Sequence, residues 1–403
     1  FRASFETRSQ LKGENMQNFI FENPTKIIFG KGQIPAIGKE IARFGKKALL
    51  VYGMNSIKKT GIYDQVTASL REANVAHVDF PGVKSNPVLS HVTEGINLAR
   101  REKADVVLAV GGGSVIDAAK TIAAGVVTDH DVWDFFTFSK PVLAALPILT
   151  VVTVSASASE MNNGAVLTRE DCCFKYGCFS PHFQPKVSIL DPTALFSLSP
   201  QYSAYSAVDI LTHMLEGYFN SSAPVSPLQD RIIEGLVKTV MESTEIIMKD
   251  PQDYNARANV MWGAVLGFNG IASAGLGPTP FPAHMIEHSL SAIYDVAHGA
   301  GLSIVLPAWM AFALDRKKRK IARFGREVFG IDQADDEKAA GVATERLKKW
   351  FESIGSPVTL QSAGIAESDI EKIADNAVNL ARLWRMDAYY TKEVITAILK
   401  KAR

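Results

Sequence analysis

Residues 105–120, DVVLAVGGGSVIDAAK, restrict this chain more than any other stretch. A continuous apolar run ends in three glycines, and a helix-forming sequence follows, which reads as a buried strand, a turn and a helix. The same grammar recurs around it. KKALLVYG (46–53) is a buried strand with a glycine stop, followed by the helix-forming IYDQVTASLREAN. VAHVDFPGV (75–83) is a further short strand, and NPVLSHVTEGINLARREKA (86–104) carries apolar residues at helical spacing. Short strands separated by helices of this length build a parallel sheet covered on both faces. After PILTVVTV (147–154) come a polar loop, a hairpin around the cysteines, and a strand in KVSILDP (186–192). At the other end, Met16 opens an apolar, strand-like run.

Beyond Asp191-Pro192 the pattern changes to helix after helix: AYSAVDILTHMLEGYF, LQDRIIEGLVKTVMESTEIIMK, NARANVMWGAVLGFNGIA, AHMIEHSLSAIYD and five or so more. The expected division is an α/β domain over 16–195 and an all-helical domain over 196–403, with no internal repeat. Residues 1–15 are polar and patternless and are expected to be a leader outside the fold.

A net charge of +1, with basic residues dispersed among acids, offers no footprint for nucleic acid or an anionic membrane. The basic run RKKRK (316–320) reads as a solvated helix face. No segment has the roughly 18 apolar residues of a membrane span; PVLAALPILTVVTVS comes nearest and is broken by Pro147. Cys172, Cys173 and Cys178 form neither a zinc pattern nor an even disulfide set, which suits a reducing cytoplasm.

The glycine triplet bears on function. Gly111, Gly112 and Gly113 would let backbone N–H groups approach a phosphate at the positive end of the following helix, and Ser114 is placed to cap that helix. A tight strand-to-helix turn would need glycine as well, so both readings stand. A second turn, YGMNSIKKTG (52–61), offers Gly53, Asn55, Ser56 and Lys58 after a strand. It lacks the ribose-binding acid of a strictly NAD-specific site, which favours NADP over NAD.

Three of the chain's eight histidines fall within HMIEHSLSAIYDVAH, residues 284–298. His284 and His288 are four apart and share a helix face. His298 would lie about 21 Å beyond His284 on a straight helix, so for one ion to join them the helix must end near Ala292 and the chain turn back. Asp209 and His213, in DILTH, are likewise four apart. Asp209, His213, His284 and His298 then compose a one-carboxylate, three-histidine site suited to Fe2+ or Zn2+. His77, His91, His130 and His182 read as ordinary core or surface residues, although His182 lies in a loop that could approach a cofactor. HMIEH also fits H-x-x-E-H, in which Glu287 would activate a zinc-bound water; that reading leaves the glycine turn and the Asp209/His213 pair unexplained.

From NFIFENPTKIIFGKG (18–32) to its end, the chain resembles the iron-containing (group III) alcohol dehydrogenases, most closely the NADPH-dependent butanol dehydrogenase/aldehyde reductase branch. The resemblance is carried by YGMNSIKKTG, AVGGGSVIDAAK, SEMNNGAVLT, SPHFQPKVSILDP, VDILTHMLEGY, NARANVMWGA, HMIEHSLSA and AHGAGLSIVLPA. It implies a Rossmann-like dinucleotide-binding domain followed by an all-α metal-binding domain, the dehydroquinate synthase-like architecture. It also implies the same four metal ligands, with His288 beside the nicotinamide and substrate. Gly111 to Ser114 would hold the pyrophosphate, and Gly53, Asn55 and Ser56 the adenosine 2′-phosphate. Thr153 would contact the nucleotide, Lys175 the cofactor ribose, and Asp117 would lie near the nicotinamide.

Three departures stand out. VSASASE (154–160) replaces the usual glycine-containing T-x-x-G-S-E turn, GMNS replaces GGGS, and Glu287 stands where glycine is common.

The expectation is a metal-dependent alcohol dehydrogenase/aldehyde reductase using NADP(H) on a small primary alcohol or aldehyde. His288 would serve as proton conduit because imidazole titrates near working pH. Trp262, Phe268 and Phe281 are expected to line an alkyl pocket. The alternative within the fold is an NAD-dependent polyol or lactaldehyde-type dehydrogenase. A homodimer paired through the apolar N-terminal strand is expected.

Overall fold

The computed structural model describes residues 16–223 and 226–403, so the expected leader lies outside the described residues. Among the described residues eight strands are present: β1 Lys26–Phe29, β2 Lys47–Tyr52, β3 Ala76–Phe80, β4 Val106–Gly111, β5 Ile148–Val152, β6 Gly164–Arg169, β7 Phe174–Phe179 and β8 Val187–Leu190. Six form one parallel sheet in the order β1-β8-β5-β4-β2-β3, while β6 and β7 form a separate antiparallel hairpin. Interleaved are the helices α1 Ile37–Ile41, α2 Ser56–Lys59, α3 Ile62–Glu72, α4 Leu89–Glu102, α5 Gly113–Val126 and α6 Trp133–Phe136.

Both faces of the sheet are buried, as an apolar strand without polar alternation requires. Leu49, Val51, Val107 and Ala109 enter one core. Their neighbours Ala48, Leu50, Val106 and Leu108 enter the other, following the two-residue period of a strand. β2 and β4 are adjacent, yet β2 leads on to one edge of the sheet and β4 towards the other. Turns at the carboxyl ends of such a strand pair open a crevice for ligands, and Gly53 and Gly111–Gly113 stand there.

Eight helices complete the described chain: α7 Pro200–Asn220, α8 Pro227–Lys249, α9 Tyr254–Phe268, α10 Pro282–Tyr294, α11 His298–Phe329, α12 Asp336–Ser353, α13 Ile370–Leu383 and α14 Lys392–Lys400. The core on the α5 side of the sheet continues without a break into these helices. RKKRK lies on α11, where Arg316 covers the Tyr389 ring and Lys318 and Lys320 pair with Glu337 and Asp230.

The N-terminal expectation needs correction. Residues 16–25 are irregular and pairing begins only at Lys26. Phe19, Ile20 and Phe21 are exposed, Ile20 at 94%, and no strand pairs with them among the described residues. No helix among the described residues is long and apolar enough to cross a membrane.

Candidate active site

A cleft of about 2190 Å3 runs from the carboxyl ends of β2 and β4 to the helices α7, α10 and α11. Its sheet side is built on the glycine triplet. A Cβ on Gly112 would lie 2.7 Å from Val154 Cβ, and one on Gly113 would lie 2.2 Å from Ser157 Oγ. These glycines serve close approach to the VSASASE loop, since neither has a positive φ. Ala158, within that loop, keeps a left-handed φ of 52°, a conformation that costs an L-residue about 1–2 kcal/mol.

Ser114 does not cap its helix. It lies inside α5 and donates its hydroxyl to the Ser85 carbonyl, joining two walls of the cleft. Thr153 lines the cleft and donates its N–H to the Gly111 carbonyl at 2.9 Å. Gly53 and Ser56 line the end of the cleft beyond β2, whereas Asn55 is the N-cap of α2 and is not among the lining residues. Asp79, the nearest acid on β3, accepts from the Tyr52 and Tyr63 hydroxyls instead.

The helical side holds the titratable residues. Asp209 and His213 lie one turn apart on α7, and His284 and His288 one turn apart on α10. The α10 helix ends at Asp295, whose φ of 53° turns the chain so that α11 starts at His298. This is the reversal that the histidine spacing demands, two residues later than expected.

Asp209 Oδ1 lies 3.2 Å from His213 Nδ1, 3.7 Å from His284 Nε2 and 3.7 Å from His298 Nε2. Ligand atoms of Asp209, His284 and His298 all fall within 4.8 Å of one another; His213 stands beside that group, its ring centroid 4.4 Å from that of His284. Asp209 Oδ1, His213 Nδ1 and His284 Nε2 are buried without a hydrogen-bond partner. Leaving such groups unpaired costs about 1–3 kcal/mol each, and a divalent cation would satisfy all three. The donor set therefore fits Fe2+ or Zn2+.

The local electrostatics agree. Burial alone would lower the His284 pKa, but the carboxylates of Asp209 and Glu216 lift it to about 9. Burial likewise works to raise Asp209, yet the surrounding histidines hold it well below the usual carboxylate range. Burial pushes His213 down to about 3. The pocket thus favours positive charge near Asp209 while keeping His213 neutral, as a metal ligand must be.

Around this set lie further charged residues, of which the sequence reading missed Glu216. Glu216, fully buried on α7, accepts from the backbone N–H groups of Ala283 and His284 and from His284 Nδ1. It follows Asp209 by seven positions and His213 by three, so helical spacing could have found it. Glu287 accepts from Ser291 Oγ and from His298 Nδ1. The Lys175 ammonium lies 3.1 Å from Asn86 Oδ1 and 3.7 Å from Glu287 Oε2, so it turns towards the helices.

Other expectations shift too. Burial, with the nearby Lys175 charge, keeps the His288 pKa well below 6.5, so the ring does not titrate near neutral pH. Its Nδ1–H donates to the Lys175 carbonyl at 2.9 Å, which leaves Nε2 as an acceptor. Asp117 accepts from Ser159 Oγ and Val166 N–H, fastening loop and hairpin to α5; burial raises its pKa. Phe268 and Phe281 line the cleft, but Trp262 is 39% exposed and packs on Phe29 outside it. His182 is exposed and does not line the cleft. The hydrolase reading of HMIEH fails, because its Glu287 is fully buried and already bonded.

The chain belongs to the iron-containing alcohol dehydrogenase family. The iron-containing alcohol dehydrogenase model matches residues 24–192, and the C-terminal model of the Fe-containing alcohol dehydrogenase family matches 203–403. The NADH-dependent butanol dehydrogenase A of Clostridium acetobutylicum is 40% identical over 90% of this chain and 93% of its own. The NADPH-dependent aldehyde reductase YqhD of Escherichia coli is 35% identical, covering 88% and 91% respectively. The crystal structure of NADH-dependent butanol dehydrogenase A from Thermotoga maritima superposes with a TM-score of 0.93 at 44% identity, covering 96% of this chain and 99% of that one. The protein is an oxidoreductase of the iron-containing alcohol dehydrogenase type.

Proposed function

We propose that this protein interconverts a short aliphatic aldehyde and its primary alcohol, with Asp209, His213, His284 and His298 holding a divalent ion, iron(II) before zinc. The observation that carries the reading is the convergence of unpartnered buried donor atoms on Asp209 Oδ1, in the wall of the cleft that begins at the glycine turn. Bound there, the metal would polarise the substrate oxygen as a Lewis acid, and a nicotinamide dinucleotide would give or take the hydride. Gly111–Gly113 and the N-terminus of α5 bind phosphate, with Thr153 beside them. Phe268, Phe281 and Trp384 surround an alkyl chain and exclude water; Trp384 lies 5.7 Å from the His288 ring. His288, neutral and fixed by the Lys175 carbonyl, presents Nε2 to the alcohol proton as a hydrogen-bond acceptor. Asp117 positions the loop and hairpin that close over the cofactor.

The adenosine end admits NADP(H), because no carboxylate lines it while Ser56 and Lys84 do. NAD(H) is the second reading, favoured by relatives named NADH-dependent. The test follows reduced-nicotinamide absorbance with butanal, using NADPH and NADH, before and after chelation. Turnover that is lost on chelation and restored by Fe2+ or Zn2+ supports the reading, and the ratio of kcat/KM for the two cofactors chooses between them. No turnover with either cofactor at full metal loading refutes the substrate assignment and turns the search to polyols and lactaldehyde. A His288→Ala variant with full activity at every pH would remove His288 from the scheme.

A further inference from the structure

We infer that Glu287 decides which tautomer His298 adopts, and so whether this ring can serve the metal site, in competition with Lys175. The inference rests on the metal reading above and extends it to one residue outside the donor set. His298 Nδ1 faces two buried groups at once. The Glu287 carboxylate accepts from it, and the Lys175 ammonium stands 3.3 Å away. A single ring nitrogen satisfies only one of them. With its proton on Nδ1, the ring donates to Glu287 and keeps a bare lone pair on Nε2, 3.7 Å from Asp209 Oδ1. With the lone pair on Nδ1, the ring accepts from Lys175, and the proton on Nε2 faces Asp209 and blocks a cation.

The surroundings favour the first arrangement while Glu287 is present. Its charge draws the ammonium to Oε2 and leaves the remaining lysine donors to Asn86 Oδ1. Ser291, one turn further along α10, fixes the other carboxylate oxygen. Gly301 leaves the room this requires, since a Cβ there would lie 2.6 Å from Glu287 Cγ and 2.7 Å from Oε1. Glu216 plays the same part for His284 with no lysine among its hydrogen-bond partners, so the competition is particular to His298. Glu287 is thus a positioning residue, and metal-bound histidines generally owe their orientation to such carboxylates.

The test measures metal affinity, independently of turnover, in the full-length protein. Metal-free wild type, Glu287→Gln, Lys175→Met and the double variant compete with a chromophoric chelator for Co(II) and Zn(II). Glu287→Gln is expected to bind roughly 10–100-fold more weakly. The double variant should recover most of that loss, since the rival donor is gone, and Lys175→Met alone should bind as wild type does. Gly301→Ala, which crowds the carboxylate without removing it, should weaken binding in the same direction if Glu287→Gln does not fold. Wild-type affinity in Glu287→Gln, or a double variant as weak as that single variant, overturns the inference while leaving the metal site standing. A wild type whose metal binding is untouched by Asp209→Asn overturns the site itself and this inference with it.

Discussion

Gly299 offers a direct test of how the metal site is assembled. It is the second residue of α11, next to His298, and it lies against α7 at Tyr205, one turn before Asp209. A Cβ built on Gly299 stands 2.1 Å from the Tyr205 carbonyl oxygen, whereas ordinary contact begins at 3.4 Å, so Gly299→Ala must part the two helices by about 1.3 Å. The obstructing atoms are backbone, which cannot rotate aside. Metal–ligand distances tolerate about 0.2 Å, so His298 and Asp209 would no longer reach one ion together. Overpacking of this kind costs about 1–3 kcal/mol. If releasing His298 relieves that strain, metal affinity falls by about 5- to 150-fold at 1.4 kcal/mol per factor of ten. Chelator competition reads the affinity, and thermal unfolding of the metal-free protein reads the strain. Gly341→Ala on α12 is the control, because no atom lies within 4 Å of its Cβ; it should leave metal binding unchanged. A Gly299→Ala protein with wild-type affinity and turnover would refute the idea that close approach of α7 and α11 sets the site.

Glu216→Ala should be among the most damaging single changes, because it strands two backbone N–H groups and one imidazole N–H in the interior. At about 1–3 kcal/mol for each stranded group, a loss of at least about 3 kcal/mol is expected in denaturant unfolding, and a loss under 1 kcal/mol would contradict this account. Glu160 gives a pH test: burial raises its carboxyl to about 7 from the ordinary 4.5, so the folded state holds the proton more tightly than the unfolded chain. Stability present at low pH is therefore lost as pH rises through 7, by about 1 kcal/mol between pH 6 and 7.5 at 1.4 kcal/mol per pKa unit. Burial lowers the Lys120 amine to about 8, and its opposing contribution grows only above that pH; Glu160→Gln should flatten the lower window in urea titrations. The exposed Phe19, Ile20 and Phe21 should be covered by a second copy of the chain, so Ile20→Asp should shift the protein towards monomer in sedimentation, and an unchanged distribution would exclude that surface.

The parallel sheet and the helical half were legible because burial on two faces, or on one stripe, leaves a periodic trace in the residues. Asp209/His213 and His284/His288 were legible for the same reason, since i, i+4 pairs must share a face. The turn after α10 followed from bond lengths, because no ion reaches along a straight helix of that length. Trp262 was misjudged because an aromatic residue in an apolar run looks alike whether it faces the cleft or packs on Phe29. His288 was misjudged because its pKa depends on burial and on Lys175, which is more than a hundred residues away in sequence. Ser114 passed for a cap because Ser85, its partner, belongs to a different loop.

The amino-acid sequence by itself determined most of the strands and helices, though not the irregular run before Lys26, together with the glycine turn at the end of β4 and the kind of ligand atoms available. Only the tertiary structure decided which of those atoms stand bare and which are claimed. That choice is made where α7, α10, α11 and β7 meet, with Glu216 holding His284, Glu287 holding His298 and Lys175 drawn between Asn86 and Glu287. Periodicity records which face of an element is buried, but not which side chain of another element it meets there. Protonation follows from that meeting, through hydrogen bonds and charges a few ångströms apart.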